Sequence, residues 1–504
     1  MSSAIFYVVI CPQCGEREAI IFIRRSGDSE DGRDIVLCES CAAARGIMAG
    51  GGNLGINIED LIGAALDESP ARSPTASCPS CGIELAVIKR EGRLGCPFCA
   101  DFFPEVFDIV RGRKAKATRE GEAAPSLADL GSLSQTLDTL SFPEFFPLPI
   151  DSFSPGPGPE DDVVLWSSAW IYRNIEGLPF PGSPRGCVSP SRSRTFPAFL
   201  GNGAWNSRSM GSLGAASRRS LAERGIVSRL YAADDEALLL SDPGSGSYAL
   251  LDEGDHIRIR SLRPGLDLLS ALVSSLVQAE TLGSSLPFAQ RSGVGWICSR
   301  LDNCGLGASL SVLVHIPGLI ATGMRERLFR ALMAEGLVLR GFYSTAEESA
   351  ASVYEICSEG TEFGGESSAS LRGLCDRLTR AIDKVVDAER RSREEFQDRG
   401  RDELLDAEGR AYGILLNCRL LEAEEAASLL STLRFAALRG SLMGADPRAL
   451  GSRMLALGPG SVSLASAEPA EPGLNERSLR ASLIKRELSK TDYKSEVDSL
   501  CSKA

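Results

Sequence analysis

Four Cys-x-x-Cys pairs fall within the first hundred residues: Cys11 and Cys14 in "CPQC", Cys38 and Cys41 in "CESC", Cys78 and Cys81 in "CPSC", Cys96 and Cys99 in "CPFC". No other feature restricts the chain so tightly. Two cysteines separated by two residues form a knuckle that turns both sulfurs toward one tetrahedral ion, and a closed structural zinc site needs two such knuckles. Four pairs predict two Zn2+ ions, each held by four thiolates, with the pairs taken in sequence order. Eight of the 15 cysteines are used in this way and the other seven are scattered. The opening "MSSAIFYVVICPQCG" has no basic region ahead of its short apolar run, so it reads as a strand and not as a signal peptide. A cytoplasmic, reducing setting is expected, where clustered thiols bind metal in preference to forming disulfides. A redox dithiol is the lesser alternative, because tandem pairs on hairpins seldom serve that purpose.

In the first site, "AIIFIRR" and the turn-rich "SGDSEDGRD" predict a hairpin that carries the chain out and back before "IVLCESC"; in the second, "IELAVIKREGRLG" is expected to do the same in fewer residues. Closed four-thiolate sites leave no open coordination position, so the module is expected to serve folding and partner docking and not metal catalysis. The chain carries 54 basic and 67 acidic residues, a formal charge of −13, which disfavours nucleic acid and acidic membrane surfaces as partners. Only "RGRKAKATR" (111–119) is locally basic, and it reads as a solvated linker. The longest stretch without Lys, Arg, Asp or Glu, residues 303–324, contains serines, Asn303, His315 and Pro317, so a buried strand and turn is expected there and no transmembrane helix anywhere.

A chain of 504 residues exceeds a single core. The reading is a zinc-binding module at 1–115, a Pro-rich linker at 116–155 with one short helix at 126–140, an α+β domain at 156–440, and a Gly/Ser/Pro-rich loop with a C-terminal helix at 441–504. In the third segment, apolar alternation marks strands in "DDVVLWSSAWIYR", "EALLLSD", "HIRIRSL" and "SLSVLVHI", and a 3.6-residue period marks helices in "DLLSALVSSLVQAE" and "MRERLFRALMAEG". An antiparallel sheet with helices is expected. No phosphate loop of the G-x-x-x-x-G-K type and no dinucleotide fingerprint is found. Residues 384–410 mix both charge signs and read as one long solvated helix, followed by an apolar helical pair; 451–473 reads as loop before the terminal helix "NERSLRASLIKRELSK". His256 and His315 sit in apolar alternating strands and read as hydrogen-bonded structural histidines.

The order of the knuckles, "CPSCG…GRLGCPFC" and "GINIEDLIGAAL" resemble the zinc-binding activator that accompanies bacterial protein-arginine kinases. Five further strings resemble the phosphagen (guanidino) kinases, most closely the bacterial protein-arginine kinases. They are "VVLWSSAWIYRNIEGLPFP" (163–181), "DEGDHIRI" (252–259), "CSRLDNCGLGASLSVLVHIPGL" (298–319), "LRGFYSTAEESAASVYEI" (339–356) and "GRAYGILLNCRLLEAEEAASLLSTLR" (409–434). The resemblance implies a multidomain chain: a small zinc-knuckle module joined to a phosphagen-kinase-like α+β domain with an antiparallel sheet and a helical C-terminal part. In such kinases, arginines align the phosphates of ATP with Mg2+, and carboxylates orient the guanidinium and take its proton.

Carried over position by position, Arg258 and Arg340 match two of the five phosphate-binding arginines, while Ser168, Trp170 and Gly307 stand at the other three. The family string N-E-E-D-H-x-R becomes Asp252-Glu253-Gly254-Asp255-His256-Ile257-Arg258, which places Gly254 at one catalytic glutamate. R-G-x-x-G-E becomes "RGFYST", which places Thr345 at the other, whereas Cys298 matches the family's reactive cysteine. The phosphoarginine-binding R-D-x-x-R-A of the terminal helix aligns with Glu476, Arg477, Arg480 and Ala481. These departures imply a pseudokinase fused to a zinc adaptor, without firm binding of ATP and Mg2+. Its partners would be proteins: an active arginine kinase or Clp-type unfoldase and protease components, with a homodimer also compatible. The alternative is an active protein-arginine kinase that uses displaced acids among Glu253, Asp255 and Glu347. Cys298 reads as a packing residue, with nucleophile or redox sensor as its alternatives. A third reading, a zinc-dependent regulator of transcription or stress response, is opposed by the acidic charge.

Overall fold

The computed structural model describes residues 76–107, 156–186, 205–242, 246–342, 349–358, 368–465 and 476–493, with the backbone of two short strands at Ile21–Ile23 and Ile35–Leu37. Those two strands pair antiparallel, Phe22 opposite Val36. This is the hairpin expected between the first two cysteine pairs. Cys11, Cys14, Cys38 and Cys41, the helix expected at 126–140, Thr345 and Glu347 lie outside the described residues.

Between the second two pairs the expected hairpin is replaced by helix α1, Leu85–Glu91. Leu85 and Ile88 are its buried residues, a spacing of three that turns one helical face inward where a strand would need a spacing of two. Gly92, at φ +60°, ends the helix by donating its N–H to Ile88 O, and Lys89 and Arg90 in the last turn face the negative end of the helix dipole.

The centre of the molecule is an eight-stranded antiparallel sheet. Its strands are β1 Val164–Arg173, β2 Asn206–Ser209, β3 Leu238–Asp242, β4 Ser247–Glu253, β5 Asp255–Pro264, β6 Ala308–His315, β7 Leu337–Gly341 and β8 Val353–Ser358. The order across the sheet is β7-β8-β6-β1-β5-β4-β3-β2. On one face Ala169, Ile171, Ile257, Ile259, Leu310 and Val312 pack against helices α2 (Leu268–Gly283) and α3 (Ser368–Arg399). On the other, Leu250, Leu262 and Leu313 meet Leu415, Leu433 and Ile484 from α4 (Arg401–Asn417), α5 (Ala423–Arg439) and α6 (Glu476–Leu488). Central strands covered on both sides read as near-continuous apolar runs, which is why β1 shows little alternation.

Three expectations change here. The segment 384–410 is two helices that meet at Gly400, where an added Cβ would lie 2.8 Å from the Phe396 ring. It is not simply solvated either, since Glu389, Arg393 and Glu408 are buried. The stretch expected as loop from 451 lies partly in short helices at Pro447–Met454 and Pro459–Ala465, each opened by a proline, whose missing N–H costs nothing in the first turn. Leu450, Met454 and Leu457 join the same apolar cluster as β4 and β5, so this region is part of the kinase-like core.

One buried polar network locks the layers together. Arg434, fully buried, donates to the backbone oxygens of Asp161 (2.7 Å), Asp162 (2.9 Å) and Pro447 (3.1 Å) and to His315 Nδ1 (2.6 Å). His315 Nε2 then donates to Ser431 Oγ at 2.7 Å. Glu389 accepts from the Gly318 and Leu319 N–H groups and from Arg393. Burial and the neighbouring Arg434 and Arg393 cations hold His315 neutral, its pKa well below that of a free imidazole.

Candidate functional site

The sulfurs of Cys78, Cys81, Cys96 and Cys99 converge, all within 4.8 Å of one another and all from buried residues. Individual separations are 3.7 Å for Cys78 to Cys96, 3.5 Å for Cys81 to Cys99 and 3.7 Å for Cys96 to Cys99. A tetrahedron of ~2.3 Å Zn–S bonds has sulfur edges of about 3.8 Å, so the donor set and its dimensions fit Zn2+. Hydrogen bonds from the Cys81 and Cys99 thiols pull the Cys96 pKa down, and the same contacts push those of Cys81 and Cys99 up. Gly95 makes room for the cluster: a Cβ there would stand 2.5 Å from Cys81 Sγ.

This zinc half is not a free appendage. Its Leu85, Ile88, Phe103 and Phe107 share one apolar cluster with Tyr172, Phe180, Ile297, Cys298, Leu301 and Cys304 of the kinase-like fold. Main-chain bonds run Leu94 N–H to Ser299 O (2.7 Å), Leu301 N–H to Gly92 O (2.8 Å) and Phe180 N–H to Gly95 O (2.8 Å). At the rim Arg291 donates to Asp101 (2.8 Å) and Glu176 (2.9 Å). These contacts bury one face of this half against the rest of the same chain.

The segment Asp252-Glu253-Gly254-Asp255 is the tight turn between β4 and β5, with Glu253 opposite Asp255. Asp252 has φ +65° and Gly254 φ +79°, a region that L side chains other than Asn and Asp seldom enter. Both acids that flank Gly254 are already engaged. Glu253 accepts from Ser228 N–H at 2.6 Å and pairs with Arg258 at 2.9 Å, their side chains 10% and 24% exposed. Asp255, 3% exposed, accepts from Asn174 Nδ2 (2.7 Å) and Ser299 N–H (2.6 Å). Burial raises its pKa, against the pull of those donors. Asp255 therefore ties three segments together and has no open side toward a substrate.

Cross-strand register puts Arg258 opposite Tyr172, Arg260 opposite Trp170, and Ser168 opposite Ser311 on one face of the sheet. Trp170, at a position where the resemblance implies an arginine, lies under two guanidinium groups: Arg258 Cζ is 4.4 Å and Arg260 Cζ 5.0 Å from its ring centre. Such contacts contribute about 0.5–2 kcal/mol each, more when desolvated. Arg260 also donates to Ser168 Oγ (2.7 Å) and Tyr248 Oη (3.1 Å). Arg340 is exposed on β7 opposite Glu355. Gly307, φ +58°, stands where an arginine is implied; a Cβ there would meet Arg173 Nη1 at 2.7 Å and Trp296 Cβ at 2.8 Å, and Arg173 stacks on that indole at 3.9 Å.

Arg260 carries no role in the sequence reading. Its signal was the alternation Arg258-Ile259-Arg260, which places both arginines on one strand face by period alone. His256 is structural as expected: Nδ1 accepts from Ile175 N–H (3.1 Å), Nε2 donates to Pro179 O (3.0 Å), and burial pushes its pKa down to about 4. Cys298 is fully buried, donates to Asn303 O at 3.2 Å, and burial raises its pKa well above the usual thiol value, the reverse of an activated nucleophile. In α6, Arg480 is 3% exposed and donates to Leu457 O (2.7 Å) and Leu421 O (2.6 Å), while Arg477 pairs with Glu422 and Glu476 with Arg219. These contacts leave Arg480 inside the helical packing.

A family model described as "ATP:guanido phosphotransferase, C-terminal catalytic domain" matches residues 196–392, and one described as "Protein-arginine kinase McsB C-terminal domain" matches residues 401–499. The protein-arginine kinase of Bacillus velezensis is 30% identical over 337 residues, covering 66% of this chain and 91% of that protein. That of Bacillus subtilis is 28% identical over 355 residues, 69% and 96% of the two chains. Among solved structures, lombricine kinase matches with a TM-score of 0.45 at 17% identity, over 62% of this chain and 87% of that one. No helix among the described residues is long and apolar enough to cross a membrane.

Proposed function

The chain belongs to the protein-arginine kinase family, with the ATP:guanido phosphotransferase catalytic domain, and from that premise we propose that it acts as a zinc-stabilised pseudokinase, an adaptor that regulates or scaffolds arginine phosphorylation in protein quality control. The observation that carries the reading is the β4–β5 turn. Gly254 stands where the family pattern has a catalytic glutamate; of the two neighbouring acids, Asp255 is buried in a structural role and Glu253 is held by Arg258 and Ser228. A general base that must first surrender an ion pair and a backbone hydrogen bond forfeits most of its usual 10²–10⁴-fold contribution, to order of magnitude. The residues of the arginine face do not fit a triphosphate with Mg2+ either. Trp170 fills space beneath Arg258 and Arg260, and Glu253 already neutralises Arg258.

Cys78, Cys81, Cys96 and Cys99 would hold Zn2+, which would supply cross-linking of the fold and no reaction chemistry, because four thiolates complete a structural site. The proposed partners are proteins: an active protein-arginine kinase or a Clp-type ATPase. The test mixes the purified chain with a purified active protein-arginine kinase and measures co-sedimentation and phosphoarginine output. The adaptor reading expects complex formation and altered output. Unchanged output and no co-sedimentation with either the kinase or a Clp-type ATPase would refute it.

A second reading, active phosphoryl transfer to protein arginine, is favoured by the name shared by the curated relatives. In that case Glu253, which is partly exposed where Asp255 is buried, would be the base, and Glu253→Gln would abolish transfer.

A further inference from the structure

The zinc half touches the kinase-like fold only a few residues from the turn that carries the functional reading. Residues 92–94 and 299–301 form a short antiparallel ladder: Leu94 N–H to Ser299 O at 2.7 Å, Leu301 N–H to Gly92 O at 2.8 Å, with Arg93 opposite Arg300. Ser299 then turns its own N–H onto Asp255 Oδ1 at 2.6 Å, so a single residue joins the zinc half to the β4–β5 turn. A second path runs through Gly95 O, which accepts from Phe180 N–H at 2.8 Å, and Pro179 O, which accepts from His256 Nε2 at 3.0 Å. Both paths leave the zinc half from the three residues before the ligand Cys96, and a third contact, Arg185 N–H to Cys81 O at 3.1 Å, starts on another ligand.

We propose that metal at Cys78, Cys81, Cys96 and Cys99 works as a clamp that sets the Glu253–Asp255 turn and seals the Cys298–Cys304 loop, so that metal occupancy switches this end of the kinase-like domain between a held and a released state. The zinc half has too small a core to keep the 92–95 segment in place without a cross-link; zinc modules of this size are commonly unfolded without metal. Its release removes the ladder partner of Ser299 and the cover over Cys298 and Cys304, both fully buried in the shared cluster. The released state has Asp255 freed from a fixed donor and two thiols open to solvent. The clamp is independent of whether phosphoryl transfer survives in the chain.

The test uses the full-length protein, wild type and Cys78→Ser/Cys81→Ser, with Cys11→Ser/Cys14→Ser as the control for the other cysteine pairs. Amide hydrogen exchange is read for peptides covering 250–258 and 297–304, and iodoacetamide labelling of Cys298 and Cys304 by mass spectrometry. The clamp predicts about tenfold or faster exchange and labelling at both places in the first variant, as expected when a local unit opens, with α3 to α5 still protected and the control unchanged. A second variant, Leu94→Pro, removes one ladder hydrogen bond while leaving all four ligands. It should keep its zinc content and still speed exchange in 250–258. Unaltered exchange and labelling in both variants would overturn the proposal, and so would loss of protection spread equally over α3 to α5, because the metal would then hold the whole fold and not this turn.

Discussion

The four-cysteine cluster and the β4–β5 turn lie at two ends of one hydrogen-bonded chain through Ser299, yet they preserve different things. In the cluster the donor atoms themselves converge on the dimensions of a zinc site. In the turn it is the backbone that is ordered: hairpin, Asn174 clasp, buried His256 and cross-strand register are all in place, while Gly254 stands where the resemblance implies a catalytic glutamate. A metal site and its fold are inseparable, because the ligands are the cross-link. A catalytic carboxylate contributes little to the fold, and at position 254 the backbone, at φ +79°, suits a glycine.

The largest effect expected from this contrast is on the metal side. Cys96→Ser should lose one equivalent of zinc by elemental analysis and release the 76–107 region to proteolysis, since structural zinc sites carry on the order of 10 kcal/mol of apparent binding energy at neutral pH. Next is Arg434→Met, expected to cost about 3–5 kcal/mol in urea unfolding, because it removes a buried cation and leaves His315 Nδ1 and three backbone oxygens without their donor. A loss under about 1 kcal/mol would show that the kinase-like core does not depend on that network.

Acid should weaken the kinase-like side by a smaller amount. His256 is neutral when folded, with a pKa of about 4 against 6.5 for a free imidazole. Between those values the unfolded chain binds the proton and the folded chain does not, so stability falls as pH drops through that window, by about 2 kcal/mol at pH 5 from this residue. Urea midpoints at pH 7.5 and pH 5 would show it, and His256→Gln should flatten the slope. The smallest effect is Gly254→Glu. Placing a carboxylate there forces an L residue into left-handed backbone at about 1–2 kcal/mol and, on the proposed reading, should yield no activity, since Trp170 and Gly307 stand where the resemblance implies phosphate arginines.

Much of the sheet was legible in the sequence, because β3, β5 and β6 show apolar runs with the strand period and α2 the helical one. The convergence of the second two cysteine pairs was legible from spacing alone. Helix α1 was misread because "LAVIK" suits either period, and only packing of Leu85 and Ile88 on the kinase-like domain decides it. The Arg434–His315 pair was not legible, as its members lie 119 positions apart and nothing local marks them. The union of the zinc half with the turn escaped notice for the same reason, being made of backbone bonds between residues 92–95 and 180–301 that carry no side-chain signature.

The central claim, a kept scaffold with its transfer chemistry gone, is tested most directly by phosphoarginine formation. The zinc-loaded protein is incubated with ATP, Mg2+ and an arginine-rich unfolded substrate, beside an active protein-arginine kinase, and acid-labile phosphate is read by mass spectrometry at neutral pH. The account predicts no transfer above the protein-free control while the active kinase phosphorylates the same substrate. Transfer that disappears in Arg258→Ala/Arg340→Ala or in Glu253→Gln would contradict it and make the β4–β5 turn a working active site.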